Sequence, residues 1–214
     1  IEARILAWLA GQRSMLDVFY AKGDVYCDFA SKIYGRPINK TNHKSERFLG
    51  KCAVLGLGYQ MGAAKFQDTL KMGALGPPVD LPFDNVKLIV DLYRSNNSQI
   101  VKYWARCQNA LAAMMQPKAN FAFGPLIIRH QKIKLPNGMY LRYPGLRIEG
   151  REIVFGHGRH KTKLYGGKLC ENITQALARI VVTDQMLVAD KALHNVGGRI
   201  VLQVHDELVG LGPT

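Results

Sequence analysis

The stretch from Arg47 to Gly62, RFLGKCAVLGLGYQMG, constrains the fold of this chain more than any other. Within it Arg47, Lys51, Leu55 and Tyr59 recur at every fourth position. On an α-helix that spacing draws one slowly drifting stripe, about 18 Å long, along a single face. The stripe opens with two cations and closes with an aromatic ring. Arg presents a planar fork of donors that matches phosphate oxygens, and Lys a compact point charge. A triphosphate needs both contacts, and a nucleobase above it needs a flat partner. Taken alone, the pattern reads more readily as an amphipathic surface helix with solvated cations, because Arg and Lys four apart are common. Gly56 and Gly58 weaken the helix near its end by about 1 kcal/mol each and permit bending or close packing. The run G-L-G-Y-Q-M-G is not a dinucleotide loop, since its spacing is wrong and it follows a helical pattern rather than a strand. Gly167-Lys168 lacks the Ser or Thr of a Walker loop.

A second stretch adds metal chemistry. Gln203–Leu208, QVHDEL, lies between the apolar β-formers Ile200-Val201-Leu202 and Val209. It reads as strand, tight turn, strand, with His205-Asp206 at the tip. Adjacent carboxylates at a hairpin tip serve a core poorly. They suit Mg²⁺, which takes one or two carboxylates, waters and substrate phosphates. Asp is also common in ordinary turns, but the sextet is more specific than a turn.

Composition narrows the partners. The 214 residues suffice for one large domain or two small ones with a real core. Hydrophobic residues at 48% and charged ones at 21% make the chain globular rather than disordered. A net charge of +13 suits a polyanionic partner; a basic protein of unrelated purpose is the bland alternative. Cys27, Cys52, Cys107 and Cys170 form no CxxC pair, which argues against zinc and for a reduced, cytoplasmic setting. No apolar run reaches membrane-spanning length and no signal-peptide pattern is present, so no membrane partner is expected. The first residue is Ile rather than Met, so residue 1 is not expected to be a natural start.

Residues 1–10 read as a helix with Ile1, Ile5, Leu6 and Leu9 on its apolar face. Asp24 is a good N-cap for a helix over Val25–Tyr34, which Gly35-Arg36-Pro37 breaks. Asn42 or Ser45 leads into the central helix. Ala63–Met72 reads as a short helix, Gly73–Pro82 as a loop, and Phe83–Ser95 and Ser98–Met115 as helices with Trp104 as a core anchor. Leu126–Arg129, Gln131–Leu135 and Met139–Tyr143 read as strands, the last two joined by a Pro136-Asn137-Gly138 turn. Arg147–Lys168 is basic and Gly-rich, with His157, Arg159, His160, Lys161, Lys163 and Lys168. It reads as a partly mobile segment near nucleic acid or, equally, as a solvated loop. A long helix from Lys168 to about Asn195 is punctuated by Gln175, Arg179 and Gln185, and Gly197-Gly198 turns the chain into the hairpin.

IEARILAWLAG, RFLGKCAVLGLGYQMG and QVHDEL, in that order, resemble three motifs of the family A DNA polymerases, the bacterial polymerase I and phage group. GDVYCDFASKIYG, LPNGMYLRYP and YGGKLCENITQA resemble segments of its phage-type members, so the resemblance spans nearly the whole chain. It implies a helix-rich α+β fold truncated at both ends: a palm from residues 1–11 and 145–214, with helices on one face of an antiparallel sheet, and helical fingers inserted at 12–144. It implies template-directed DNA synthesis from dNTPs on a primer-template, of a phage-like replicative kind, using two Mg²⁺ ions. Asp206 is the implied metal ligand here; a further Asp is expected ahead of Ile1, so residues 1–214 alone are expected to be inactive. Glu207, on the other side of the strand by period-two alternation, takes a supporting catalytic role. Arg47 and Lys51 would hold the triphosphate, Lys51 protonating the pyrophosphate, with Tyr59 as the stacking ring. Glu2 would exclude a 2′-hydroxyl; a first-turn Glu favoured by the helix dipole is the alternative. Leu55 stands where the best-known members carry Phe or Tyr. DNA contacts fall to Gln175, Gln203, His205 and Lys168, the last one residue away from the family's basic position. The resemblance specifies no processivity or replisome partner. The rival is a non-catalytic basic nucleic-acid-binding module, or an inactive polymerase relic.

Overall fold

Local chemistry sets the helices. Asp24 starts its helix by accepting hydrogen bonds from the amides of Tyr26 (2.9 Å) and Cys27 (3.2 Å), and Gly35 ends it in the left-handed conformation at φ 63°. The computed structural model, which describes residues 1–158, 161–205 and 207–213, is a mixed α+β fold. Its helices are α1 (Glu2–Ala10), α2 (Arg13–Tyr20), α3 (Val25–Tyr34), α4 (Lys44–Leu57), α5 (Ala63–Lys71), α6 (Phe83–Asn96), α7 (Ser98–Met114) and α8 (Gly166–His194). Three antiparallel sheets accompany them. One is β1 (Asn120–Phe123), β2 (Leu126–Arg129), β3 (Lys132–Lys134) and β4 (Tyr140–Arg142), paired in sequence order. The second is β5 (Arg147–Glu149), β6 (Glu152–Phe155) and β7 (Thr162–Leu164), and the third is the hairpin β8 (Arg199–Val204) and β9 (Glu207–Leu211).

The core lies between α4, α7 and the first half of α8. Leu57 of α4, Tyr103, Cys107 and Leu111 of α7, and Leu169, Cys170 and Ile173 of α8 are fully or almost fully buried. Trp104 is the expected core anchor, its indole Nε1 donating to the Gly58 carbonyl at 2.7 Å. Two glycines allow the closest approaches. A Cβ on Gly50 would lie 2.2 Å from the Tyr26 carbonyl oxygen, so α3 and α4 touch only because residue 50 has none. A Cβ on Gly167 would lie 2.5 Å from the Tyr59 carbonyl oxygen. The Gly167 amide instead donates to Gln60 Oε1 at 2.9 Å, which pins the start of α8 to the turn that follows α4.

Several expectations need correction. The central helix is entered through His43, whose side chain makes no capping bond, rather than through Asn42 or Ser45; the His43 carbonyl accepts from the Arg47 amide. Residues 147–164 form a three-stranded sheet, where a partly mobile segment or loop was expected. Buried Val154 and Leu164 anchor it and Glu149 and Glu152 pair its cations; Arg159 and His160 lie outside the described residues. Among the described residues of 145–214, β5–β7 and the β8–β9 hairpin form separate antiparallel sheets on either side of α8 in the chain. Helix α2 and strand β1 were not expected at all.

Candidate nucleotide-binding cleft

Helix α4 shows how the stripe is built. Arg47, Lys51 and Leu55 are half-exposed, while Leu49, Gly50, Cys52, Ala53, Val54, Gly56 and Leu57 are buried. The helix ends at Leu57, two residues short of Tyr59. Gly58 keeps helical backbone angles (φ −58°, ψ −17°), and Tyr59 follows in the turn after the helix, half-buried and packed against the core.

Lys51 and Leu55 of the stripe line a cleft of about 710 Å³, whereas Tyr59 does not reach its lining. Five residues singled out from the sequence meet there: Glu2 of α1, Lys51 and Leu55 of α4, Gln175 of α8 and His205 at the tip of the β8–β9 hairpin. His205 has φ 52°, the left-handed conformation that a two-residue hairpin connection favours. Its neighbour Asp206 lies outside the described residues. A larger apolar groove of about 830 Å³ adjoins the cleft, sharing Ile1, Phe19 and Val182 with it. That groove holds none of the predicted site residues, so the candidate chemistry belongs to the smaller cleft.

Arg47 is fixed beside the cleft rather than lining it. Its Nε donates to Asp24 Oδ2 at 2.6 Å, and its guanidinium lies over the Tyr26 ring, 5.3 Å from the centroid. Burial raises the Asp24 carboxyl, but the Arg47 guanidinium and the Cys27 and Tyr26 amides outweigh it and hold Asp24 below its ordinary value. Asp24 thus caps α3 and orients Arg47 with one carboxylate. Burial, and after it the Glu2 carboxylate, push the Tyr59 hydroxyl well above its ordinary value. Burial also pushes the Cys52 thiol up to about 11, so the thiol next to Lys51 is protonated at neutral pH.

The remaining predicted residues lie off the cleft. Lys168, in the first turn of α8, is ion-paired with Glu171 at 2.9 Å. Gln203 is half-buried on β8 and donates from Nε2 to the His205 carbonyl at 3.2 Å. Glu207 opens β9, exposed and paired in register with Val204. The sequence reading missed Tyr26 and gave Arg179 no role, yet both line the cleft. Arg179 carried a signal, since it lies four residues, about one helical turn, beyond Gln175. Among the described residues no three His, Cys, Asp or Glu side chains gather as a metal site. Glu2 and His205 alone do not make one, so the fit of a metal turns on Asp206, whose chain neighbour His205 lines the cleft.

The cleft of this basic α+β protein joins Lys51, Glu2, Gln175 and His205 from four parts of the fold. No family model matches the chain. It is 33% identical to a DNA polymerase of Bacillus phage SP02 over 226 residues, which covers 98% of this chain and 34% of that protein. The chain therefore spans about a third of the length of this relative and is similar to a DNA polymerase along almost all of its own. Among the described residues, no helix is long and apolar enough to cross a membrane.

Proposed function

We propose that this chain is the nucleotide-binding and catalytic part of a family A DNA polymerase of phage type, which extends a primer 3′-hydroxyl with dNTPs as a template directs. One observation carries the reading: residues from positions 2, 51, 55, 175 and 205, each picked from the sequence for this chemistry, line one cleft. Residues 1–11 and 145–214 would be palm and 12–144 fingers. Arg47 and Lys51 hold the triphosphate, with Leu55 and Glu2 toward the sugar and Tyr59 toward the base. Gln175 contacts the primer-template, with Gln203 and Lys168 as further DNA contacts off the cleft, and His205 lies toward the primer end. Asp206, with the Asp that the resemblance places ahead of Ile1, would hold Mg²⁺. When bound, the two ions lower the pKa of the primer hydroxyl and offset charge on the leaving pyrophosphate. The new bond joins the 3′-oxygen to the α-phosphorus, the α–β bridging P–O bond breaks, and Lys51 supplies a proton to the departing pyrophosphate. Glu207 supports the hairpin from the far side.

The test is primer extension by the full-length protein. The wild type extends a primed template with dNTPs and Mg²⁺, and Asp206→Ala abolishes incorporation while primer-template binding is retained. A full-length wild type that binds DNA and never extends a primer is the non-catalytic binding module instead.

A further inference from the structure

We propose that the solvent face of the β1–β4 sheet is a docking surface for single-stranded DNA, the unpaired template beyond the primer junction; this rests on the polymerase reading above. Residues 116–145 contain Lys118, Arg129, Lys132, Lys134 and Arg142 and not one Asp or Glu. Leu126, Ile128 and Ile133 are fully buried on the inner face of the sheet, so period two sends the intervening residues outward. In the observed register Arg129 faces Lys132 across β2–β3, and Lys132 faces Arg142 across β3–β4. Three cations therefore stand in one row across three strands, about 4.8 Å apart from strand to strand.

Facing like charges destabilise a sheet, and no carboxylate of a described residue pairs with this row. Arg129 Nε is buried without a hydrogen-bond partner. The neighbouring β5–β7 sheet shows that such pairing is available to this fold. There Glu149 takes Arg147 and Lys161, and Glu152 takes Lys163. A polyanion laid along the row relieves the repulsion that the sheet itself leaves in place.

Tyr140 identifies the strand type. Its half-buried ring faces Lys134 across β3–β4 and sits 5.0 Å from Lys132 Nζ and 5.3 Å from the Arg142 guanidinium. Aromatic rings among cations suit a single strand, whose unstacked bases meet the ring while phosphates meet the charges. The location fits too. Pro125 and Pro136, in the β1–β2 and β3–β4 connections, line the apolar groove that adjoins the cleft. A strand leaving the cleft along that groove meets the sheet at the Lys134–Tyr140 end and reaches the Arg129–Lys132–Arg142 row two residues further along the strands.

The experiment measures binding of the full-length protein, by fluorescence anisotropy over a range of salt, to a primer-template with a long 5′ template overhang and to the same duplex made blunt. The Lys132→Gln/Arg142→Gln variant loses affinity for the overhang substrate. Its log–log salt slope is shallower by about 1.4, at about 0.7 per lost phosphate contact, so its deficit shrinks about sevenfold from about 50 to 200 mM salt. Blunt-duplex binding holds, and the melting temperature holds or rises as repulsion is relieved. Equal loss on both substrates, an unchanged slope, or the same loss from Lys118→Gln, an exposed cation off the row, overturns the surface. Wild type that binds the overhang through this face and never extends a primer rejects the polymerase reading alone. Primer extension with undiminished overhang binding in the double variant rejects the surface alone.

Discussion

Lys51 and Lys132 are the same side chain in two opposite settings. Beside the cleft, Arg47 is held at its edge by Asp24 and at its face by Tyr26, and Lys51 lines the cleft one helical turn further along α4. On the β1–β4 sheet, Arg129, Lys132 and Arg142 confront one another with no counter-charge among the described residues. A guanidinium already fixed on two sides would lose little freedom on taking a phosphate, so Arg47 is suited to one pose at the edge of the cleft. An uncompensated row favours any polyanion in any of several positions. The contrast separates charge that positions from charge that collects.

The sharpest way to break this contrast is to remove one Lys from each region. Lys51→Ala should lower single-nucleotide incorporation by the full-length protein about 10²- to 10³-fold, the usual loss when one preorganised charge is taken from a reacting group. Lys132→Ala should cost only a few-fold in primer-template affinity, with turnover on saturating DNA retained. Pre-steady-state incorporation on one substrate measures both. Comparable losses in turnover would erase the distinction.

Asp24 offers a finer test, because it has two duties. Asn is as good an N-cap as Asp, so Asp24→Asn keeps the start of α3 and removes the charge that orients Arg47. The expected result is a rise of about tenfold in KM for dNTP, about 1.4 kcal/mol of binding, with kcat and melting temperature nearly unchanged. Its acid behaviour adds a signature. The Asp24 carboxyl is held below its ordinary value, so its contribution to stability is present above the ordinary carboxylate range, about pH 4, and is lost as pH falls through the lower folded value. The Asn variant should lack that part of the acid loss in a pH series of melting temperatures. A fall in stability at neutral pH with an unchanged KM would make Asp24 a cap and nothing more.

Much of the fold and one wall of the cleft are legible in the sequence, the cation row of the β1–β4 sheet is not, and the unread part has physical causes. Local signals served well: Asp24 as a cap, Gly35 as a stop and Pro136-Asn137-Gly138 as a turn all depend on a few adjacent residues. Helix α2 has a strong apolar face through Met15, Leu16 and Phe19, but its eight residues between Gly11 and Gly23 leave a short periodic window. Strands β5–β7 have only three or four residues each, too few to display alternation among so many charges. The stripe on α4 was legible because it is periodic within one helix. The cleft as a whole was not, because it joins α1, α4, α8 and the hairpin across most of the sequence, and spacing within a segment carries no information about that meeting. Arg47 illustrates the limit. Its residue type was read as a phosphate ligand, but the partner that orients it stands 23 positions away.

Leu55 gives the smallest expected effect and tests the apolar part of the same stripe. It is half-exposed and lines the cleft one turn beyond Lys51, whereas Val54 and Leu57 on the same helix are buried. Had Leu55 been a core residue, Tyr in its place would overfill the site at about 1–3 kcal/mol. A position on the wall of an open cleft of about 710 Å³ does not force that cost. On the proposed reading, Leu55→Tyr adds instead a hydroxyl facing the nucleotide, between Tyr59 and the cations assigned to the phosphates. With Leu, a dideoxynucleotide loses the contact of its 3′-hydroxyl and gains nothing. With Tyr, a phenolic oxygen can occupy the vacated space and complete the polar contacts around the triphosphate. The variant should therefore favour dideoxynucleotides several-fold more than the wild type does, a change of about 1 kcal/mol, at an unchanged melting temperature. The measurement is the ratio of kcat/KM for dideoxy and deoxy substrates in both proteins, beside their thermal unfolding. A fixed ratio with a lower melting temperature would return Leu55 to the core and leave the sugar side of the cleft to Glu2.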